Sequence, residues 1–181
     1  MLRRLLTLCV ASALTVGFAA GRAPDDDEDK KTDLQTPVAE GKEVALTPAE
    51  ITVSEEVDKQ GRYTATVKPA KESKTVQMPA RAWGLGLVSE PAKGGGVKVV
   101  SVPEGSALMS MRTTAGNAGG AGDWEAEPGD IVSHVGDYAV NTVEELVCAI
   151  SIAKDKADLR IVVKDADTGD VLAFYVTATR Q

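Results

Sequence analysis

Aromatic residues and cysteines are scarce in this sequence of 181 residues. Phe, Trp and Tyr make up 4% of it, so a core must be aliphatic, packed from Val, Leu, Ile and Ala. The cysteines are Cys9 and Cys148, and only the second remains if an N-terminal signal is removed. A single cysteine excludes an internal disulfide, so the fold depends on its core. Cys148 falls on the pattern of an amphipathic helix, which favours a packed thiol over a reactive one.

The sequence also lacks a basic face and a catalytic motif. Its net charge is -7, and residues 24–60 carry twelve acidic residues against four basic ones. No surface is predicted to neutralise phosphates, which argues against nucleic-acid binding. The single histidine, His134, is not accompanied by a nucleophile motif, a zinc cluster or a phosphate loop. We therefore expect no enzymatic activity, no cofactor and no metal.

The N-terminus has the pattern of an export signal. "MLRR" is a positive n-region, and the apolar run over residues 5–20 leads into small residues. This run is shorter than the roughly 20 residues of a membrane span. Residues 1–21 are thus predicted to be a signal peptide, cleaved after Gly21 or Ala23, with an uncleaved anchor as the alternative. The protein is expected to be exported, periplasmic or secreted, with no transmembrane span after cleavage.

Two further segments precede the main domain. Residues 22–49 hold a run of five acids and several prolines, and such a composition predicts an acidic disordered linker. In residues 50–73, "ITVSEEV" and "YTATVKP" flank the turn residues "DKQGR". This pattern predicts a β-hairpin over 51–69, with an extension of the linker as the alternative.

Residues 74–181 alternate between strand and helix patterns. "KTVQMPA", "GLGLVSE", "GGVKVVSV" and "GDIVSHV" are strand-like, and Ser106 can open a short helix. A Gly-rich insertion covers 113–123. "NTVEELVCAISIA" predicts the best helix, capped by Asn141 or Thr142, and a hairpin with Gly169 at its turn closes the chain. The order predicts a small α+β fold, mostly antiparallel.

Residues 74–179 resemble the PDZ domain family. The resemblance depends on "GLGL" before a strand, followed in order by "PEGSA", "PGD" and "NTVEEL". It implies an α+β fold, a PDZ-like, small, partly open antiparallel β-barrel or sandwich with two helices. Two departures concern Gly136-Asp137, where the family usually has Asn-Gly, and the longer stretch between Ala107 and Pro128.

The resemblance also implies peptide capture by β-strand addition. Consecutive amides curled by glycine can bind a carboxylate, and a peptide then pairs with the strand that follows. Arg81 is a possible second partner of the carboxylate. The ligands expected are C-termini or extended segments of proteins with apolar terminal side chains. The implied residues are the carboxylate-binding loop Gly84, Leu85, Gly86 and Leu87, the pairing residues Val88 and Ser89, and the pocket residues Leu85, Leu87, Val143, Val147 and Ile150.

Three functions are compatible with this resemblance. The first is an exported peptide-binding adaptor. The second is a noncatalytic accessory of an exported protease. The third is a structural PDZ-like module whose groove is occluded, either by the 51–69 hairpin or by the Gly-rich insertion.

Overall fold

Antiparallel strands dominate the computed structural model of the chain, which describes residues 39–69, 72–114 and 124–180. Its elements, in chain order, are β1 (Glu43–Val57), β2 (Tyr63–Pro69), β3 (Lys74–Gln77), β4 (Trp83–Gly84), β5 (Val88–Pro91), β6 (Val97–Ser101), a 3-10 helix (Ala107–Met109), β7 (Ile131–Val135), β8 (Tyr138–Ala139), α1 (Val143–Ile152), β9 (Leu159–Lys164), β10 (Val171–Val176) and β11 (Thr179–Arg180).

Six strands form a closed ring. β1 pairs with β2, β2 with β10, β10 with β9, β9 with β7, β7 with β8, and β8 returns to β1. Every pairing is antiparallel. The prediction of an antiparallel fold is confirmed, but the barrel is closed rather than partly open. It closes because the two edges that would otherwise be exposed, on β8 and β10, are both covered by the β1–β2 hairpin.

The remaining strands extend this ring. β3 pairs with the first part of β1, β6 pairs with β7, and β5 pairs with β6. β4 and β11 form a separate pair. The described part of the chain is thus mostly β, a closed six-stranded antiparallel barrel with extra strands and one α-helix.

Strand β1 begins inside the segment that was predicted to be a linker. Residues 43–46 pair with β3, and the side chains of Val44 and Leu46 are buried in the main core. The prediction of disorder is therefore wrong for residues 43–49, because the acidic and proline-rich surroundings masked a short alternating apolar pattern. The rest of that segment up to residue 38, and the signal over 1–21, lie outside the described residues.

The 51–69 hairpin is confirmed. β1 and β2 pair from Ala49↔Pro69 to Val57↔Tyr63, and the turn between them contains Gly61 with φ +80°. Because β2 pairs with β10 and β1 with β8, this hairpin is part of the barrel rather than an extension of a linker.

Only one of the two expected helices is an α-helix. Thr142 caps α1, since its side chain accepts a hydrogen bond from the Glu145 N–H. The second, opened by Ser106 as predicted, is a 3-10 helix of three residues. Of the Gly-rich insertion 113–123, residues 115–123 lie outside the described part of the chain.

The ring strands carry two apolar faces. Ile161 and Phe174 pair with each other and face the main core. Val162 and Ala173, also a pair, lie on the opposite face and are fully buried. Because strand residues alternate between faces, this second face must be covered by something else. The β1–β2 hairpin covers it, so the face lines the interior of the ring.

Candidate functional site

The segment from Gly84 to Leu87 connects β4 to β5. Gly84 pairs with Thr179 of β11, which fixes one end of the segment. Gly86 has φ +67°, in the left-handed region that side chains disfavour. A Cβ at Gly86 would meet its nearest neighbours at 3.5 Å and 3.6 Å, ordinary contact distances. Glycine is therefore required here by backbone conformation and not by lack of space.

The carbonyl groups of this segment are held by hydrogen bonds. The carbonyl of Leu85 accepts from the Ser106 hydroxyl at 2.8 Å and from the Ala107 N–H at 2.9 Å. The Thr179 hydroxyl donates to the carbonyl of Gly84 at 3.3 Å. These contacts fix two consecutive peptide planes against the 3-10 helix and β11.

The amide groups of the same segment have no such partners. Within the described residues, the N–H groups of Leu85, Gly86 and Leu87 donate no hydrogen bond. In a trans peptide the carbonyl and the N–H point in opposite directions. Since the Leu85 carbonyl faces Ser106, the N–H of Gly86 points away from it. The N–H of Leu85 likewise points away from Thr179.

Strand β5 continues from these amides as a free edge. It pairs with β6 on one side, and no strand of the described residues pairs with its other side. Helix α1 packs against β4 and β5, and the Trp83 N–H donates to the Ser151 hydroxyl at 2.9 Å. Ser89 lies in β5, and its buried hydroxyl has no hydrogen-bond partner among the described residues.

The predicted pocket residues come together but are not open. Val143, Val147 and Ile150 on α1 meet Leu85 and Leu87 in the main core. Leu85, Leu87 and Ile150 are 0% exposed and Val147 is 1% exposed, while Val143 is half-buried. Four of the five side chains therefore form a closed apolar floor rather than the walls of a cavity.

The remaining predicted residues lie nearby in the chain. Val88 and Ser89 are the first two residues of β5, and Arg81 is exposed, two residues before β4. Neither Thr179 nor Ser151 was predicted to belong to the site, and Ser106 was predicted only as the start of a helix. Ser106 alone had a usable signal, its place in "PEGSA". The other two come from distant parts of the chain, and no local pattern connects them to the loop.

Of the two proposed ways of occluding the groove, strand pairing of the 51–69 hairpin with β5 is not found among the described residues. The strands of this hairpin pair with β3, β8 and β10, and not with β5. Residues 115–123 of the other candidate, the Gly-rich insertion, lie outside the described part of the chain.

Burial shifts the pKa of two side chains, one on α1 and one on β7. Burial raises the pKa of the Cys148 thiol and lowers the pKa of His134. Among the residues that the structure describes, no cluster of three or more His, Cys, Asp or Glu residues could hold a metal ion. None of the helices in the described ranges has the length and apolar character needed to cross a bilayer.

Fold and site together define a mostly-β protein in which a loop with unpaired amides leads into the free edge of a strand beside a helix. No known protein family, curated protein or solved structure matches the chain.

Proposed function

We propose that this chain is an exported peptide-binding adaptor with a PDZ-like fold over residues 74–179. The three unpaired amides of Leu85, Gly86 and Leu87, placed at the start of the free edge of β5, carry this proposal. They bind the C-terminal carboxylate of a partner protein, and the partner's last residues pair with Val88 and Ser89 as an added strand.

The order of elements supports the PDZ-like assignment. The loop precedes β5, which forms an antiparallel hairpin with β6, and α1 follows β7 and β8. α1 packs beside β5, so a groove between strand and helix can hold an extended peptide. The hairpin of residues 43–69 and the closed barrel are additions to this arrangement.

The closed apolar floor restricts the terminal side chain of the ligand. Leu85, Leu87, Val147 and Ile150 already fill the space between β5 and α1. A large side chain could enter only if this packing rearranged, which is costly in a well-packed core. The adaptor therefore prefers a small apolar terminal residue, Ala or Val, to Leu or Phe.

The test is a calorimetric titration of the full chain without its signal. The ligand is an eight-residue peptide ending in Val-Ser-Ala, used as the free acid and as the C-terminal amide. Charge-assisted hydrogen bonds contribute roughly 1.5–3 kcal/mol each, so the acid should bind at least about tenfold tighter. Equal affinity for the acid and the amide contradicts carboxylate capture.

A structural module is the second candidate, because four of the five pocket residues are fully buried. In that case the groove never opens. Neither peptide, nor a second pair ending in Val-Ser-Val, would then produce heat of binding at millimolar concentration.

A further inference from the structure

A cavity of about 520 Å³ lies in the ring, and no residue of the segment 84–87 lines it. It is lined by Ala65 and Val67 of β2, Ile131 and His134 of β7, Lys164 of β9 and Val171 of β10. Small-molecule sites in proteins commonly have volumes of about 300–1,000 Å³.

The strand register places this cavity in the ring interior. Lys164 pairs with both Ile131 and Val171, and His134 pairs with Val162, so these side chains share one face. On β2, Ala65 and Val67 are half-buried, whereas Thr64, Thr66 and Lys68 are exposed. The inner side of the hairpin thus lines the cavity, and the cavity is open to solvent at the exposed residues Thr66 and Lys164.

The charge of the cavity differs from that of the whole chain. The sequence has 27 acidic residues and 20 basic ones, yet no acidic residue lines the cavity. Lys164 is the one cationic side chain among its lining residues, and its ammonium group makes no ion pair with a described residue. The rest of the wall is mixed, with apolar side chains such as Ile131 and Val171 beside polar ones such as Ser133 and Asn141. Such a wall suits a ligand that has both a hydrocarbon body and polar groups.

His134 supplies a hydrogen-bond acceptor. The Ser133 hydroxyl donates to the carbonyl of Val162 at 3.2 Å, which uses its only proton. In the 2.9 Å contact between His134 Nδ1 and the Ser133 hydroxyl, Nδ1 must therefore be the donor and the hydroxyl oxygen the acceptor. In the neutral imidazole this leaves Nε2 as a bare acceptor, able to bind a hydroxyl or N–H group.

We propose that the ring interior is a second binding site, for a small organic acid with an apolar body and a hydroxyl group. The carboxylate pairs with Lys164, the hydroxyl donates to His134 Nε2, and the body contacts Ala65, Val67, Ile131 and Val171. The β1–β2 hairpin, which lies outside the PDZ resemblance, contributes Ala65, Thr66 and Val67 to this site, and the other lining residues come from residues 94–171. The site does not depend on the peptide-binding function.

His134 is the only histidine of the chain, so its imidazole NMR signals report on this cavity alone. The full chain without its signal is titrated with 2-hydroxy-4-methylpentanoate and with its uncharged primary amide, each to about 20 mM. We expect a saturable shift of the His134 signals, with the acid binding about three- to fivefold tighter than the amide, as for a partly solvated ion pair.

Matched variants test the role of the charge. Lys164→Met should remove the preference for the acid, and Lys164→Arg should keep it. Lys98→Met, an exposed lysine on β6, should leave it unchanged. The amide signals of residues 85–87 should not move with the acid, which separates this site from the carboxylate-binding loop. The proposal is overturned by any one of three results. These are the lack of a saturable shift of the His134 signals, equal affinity for the acid and the amide, and a preference for the acid that survives in Lys164→Met.

Discussion

Among single residues, Gly86 has the most specific task. Its φ of +67° turns the loop so that the Leu85 carbonyl meets Ser106 while the N–H of Gly86 points away. Any other residue would adopt this conformation only with strain. Gly169, in the turn between β9 and β10, has φ +77° and open space around it. A substitution at Gly169 would therefore cause the same backbone strain outside the proposed binding loop, which makes this position a control.

Gly86→Ala and Gly169→Ala should each lower the free energy of unfolding by about 1 kcal/mol, because both force a Cβ into the left-handed region. Only Gly86→Ala should weaken binding of the free-acid peptide, since only it disturbs the unpaired amides. Denaturant unfolding and calorimetry measure the two effects. If Gly169→Ala weakened peptide binding as much, the loop would have no special role.

A second residue, Arg62, holds the turn of the hairpin to the turn of β9–β10. Its side chain is 7% exposed and pairs with Asp58 at 2.7 Å and Asp165 at 2.8 Å, beneath the ring of Trp124. Burial alone would raise the pKa of Asp58, but hydrogen bonds from Arg62 and Gln60 lower it overall. Hydrogen bonds from the N–H groups of Thr168 and Asp167 and from the Arg62 side chain lower the pKa of Asp165, although burial alone would raise it.

Arg62→Met should destabilise the fold by about 2–3 kcal/mol at neutral pH, because it leaves two partly buried carboxylates without their cation. Lys98→Met, which breaks the exposed pair with Glu90, should cost less than about 0.5 kcal/mol. Because folding lowers the pKa values of both carboxyl groups, it is stabilised at pH values above their ordinary pKa of 3.8. This stabilisation is lost as the pH falls below that value. The difference between wild type and Arg62→Met should therefore shrink below about pH 4. A constant difference down to pH 2 would contradict this account.

Among the elements, those with strong local signals were predictable. α1 carries a cap, first-turn acids and an apolar stripe, and it forms where these place it, over Val143–Ile152. The closing hairpin was equally clear, with Gly169 at its turn. β1 was not, because its first residues alternate over a few positions only and depend on pairing with β3, which no local pattern reveals.

Strand β1 also gives a direct test of its place in the core. Leu46→Ala should cost about 2–5 kcal/mol, because the side chain is 0% exposed in the main core. Val57→Ala, at the other end of the same strand and 49% exposed, should change stability by less than about 0.5 kcal/mol. Thermal and denaturant unfolding measure both variants. If the Leu46→Ala protein were as stable as wild type, residues 43–49 would belong to the linker and not to the core.

For the molecule as a whole, ring closure is the feature that the sequence could not reveal. Antiparallel hairpins were visible one by one, but the pairings β2–β10 and β1–β8 join residues about a hundred positions apart. The same holds for the site: "GLGL" and the helix could be connected through a family resemblance, whereas Thr179 and the burial of Leu85 follow from tertiary packing alone.

Because the ring of six strands is closed, we expect the β1–β2 hairpin and the other strands of the barrel to unfold together. Native-state hydrogen exchange of the β1 and β2 amides should give the same opening free energy as that of β9 and β10, because opening one pair breaks the ring. A hairpin that exchanged with an opening free energy lower by about 2 kcal/mol or more would be an independent unit instead.

Carboxylate capture by the loop is the central claim, and amide NMR tests it most directly. The chain from residue 22 onward is labelled with 15N and titrated with the peptide ending in Val-Ser-Ala as free acid and as amide. We expect the free acid to move the N–H signals of Leu85, Gly86 and Leu87 downfield, together with those of β5. The amide should leave these three signals nearly unchanged. Binding of the free acid that leaves the three loop signals in place, or no binding at all, would contradict it.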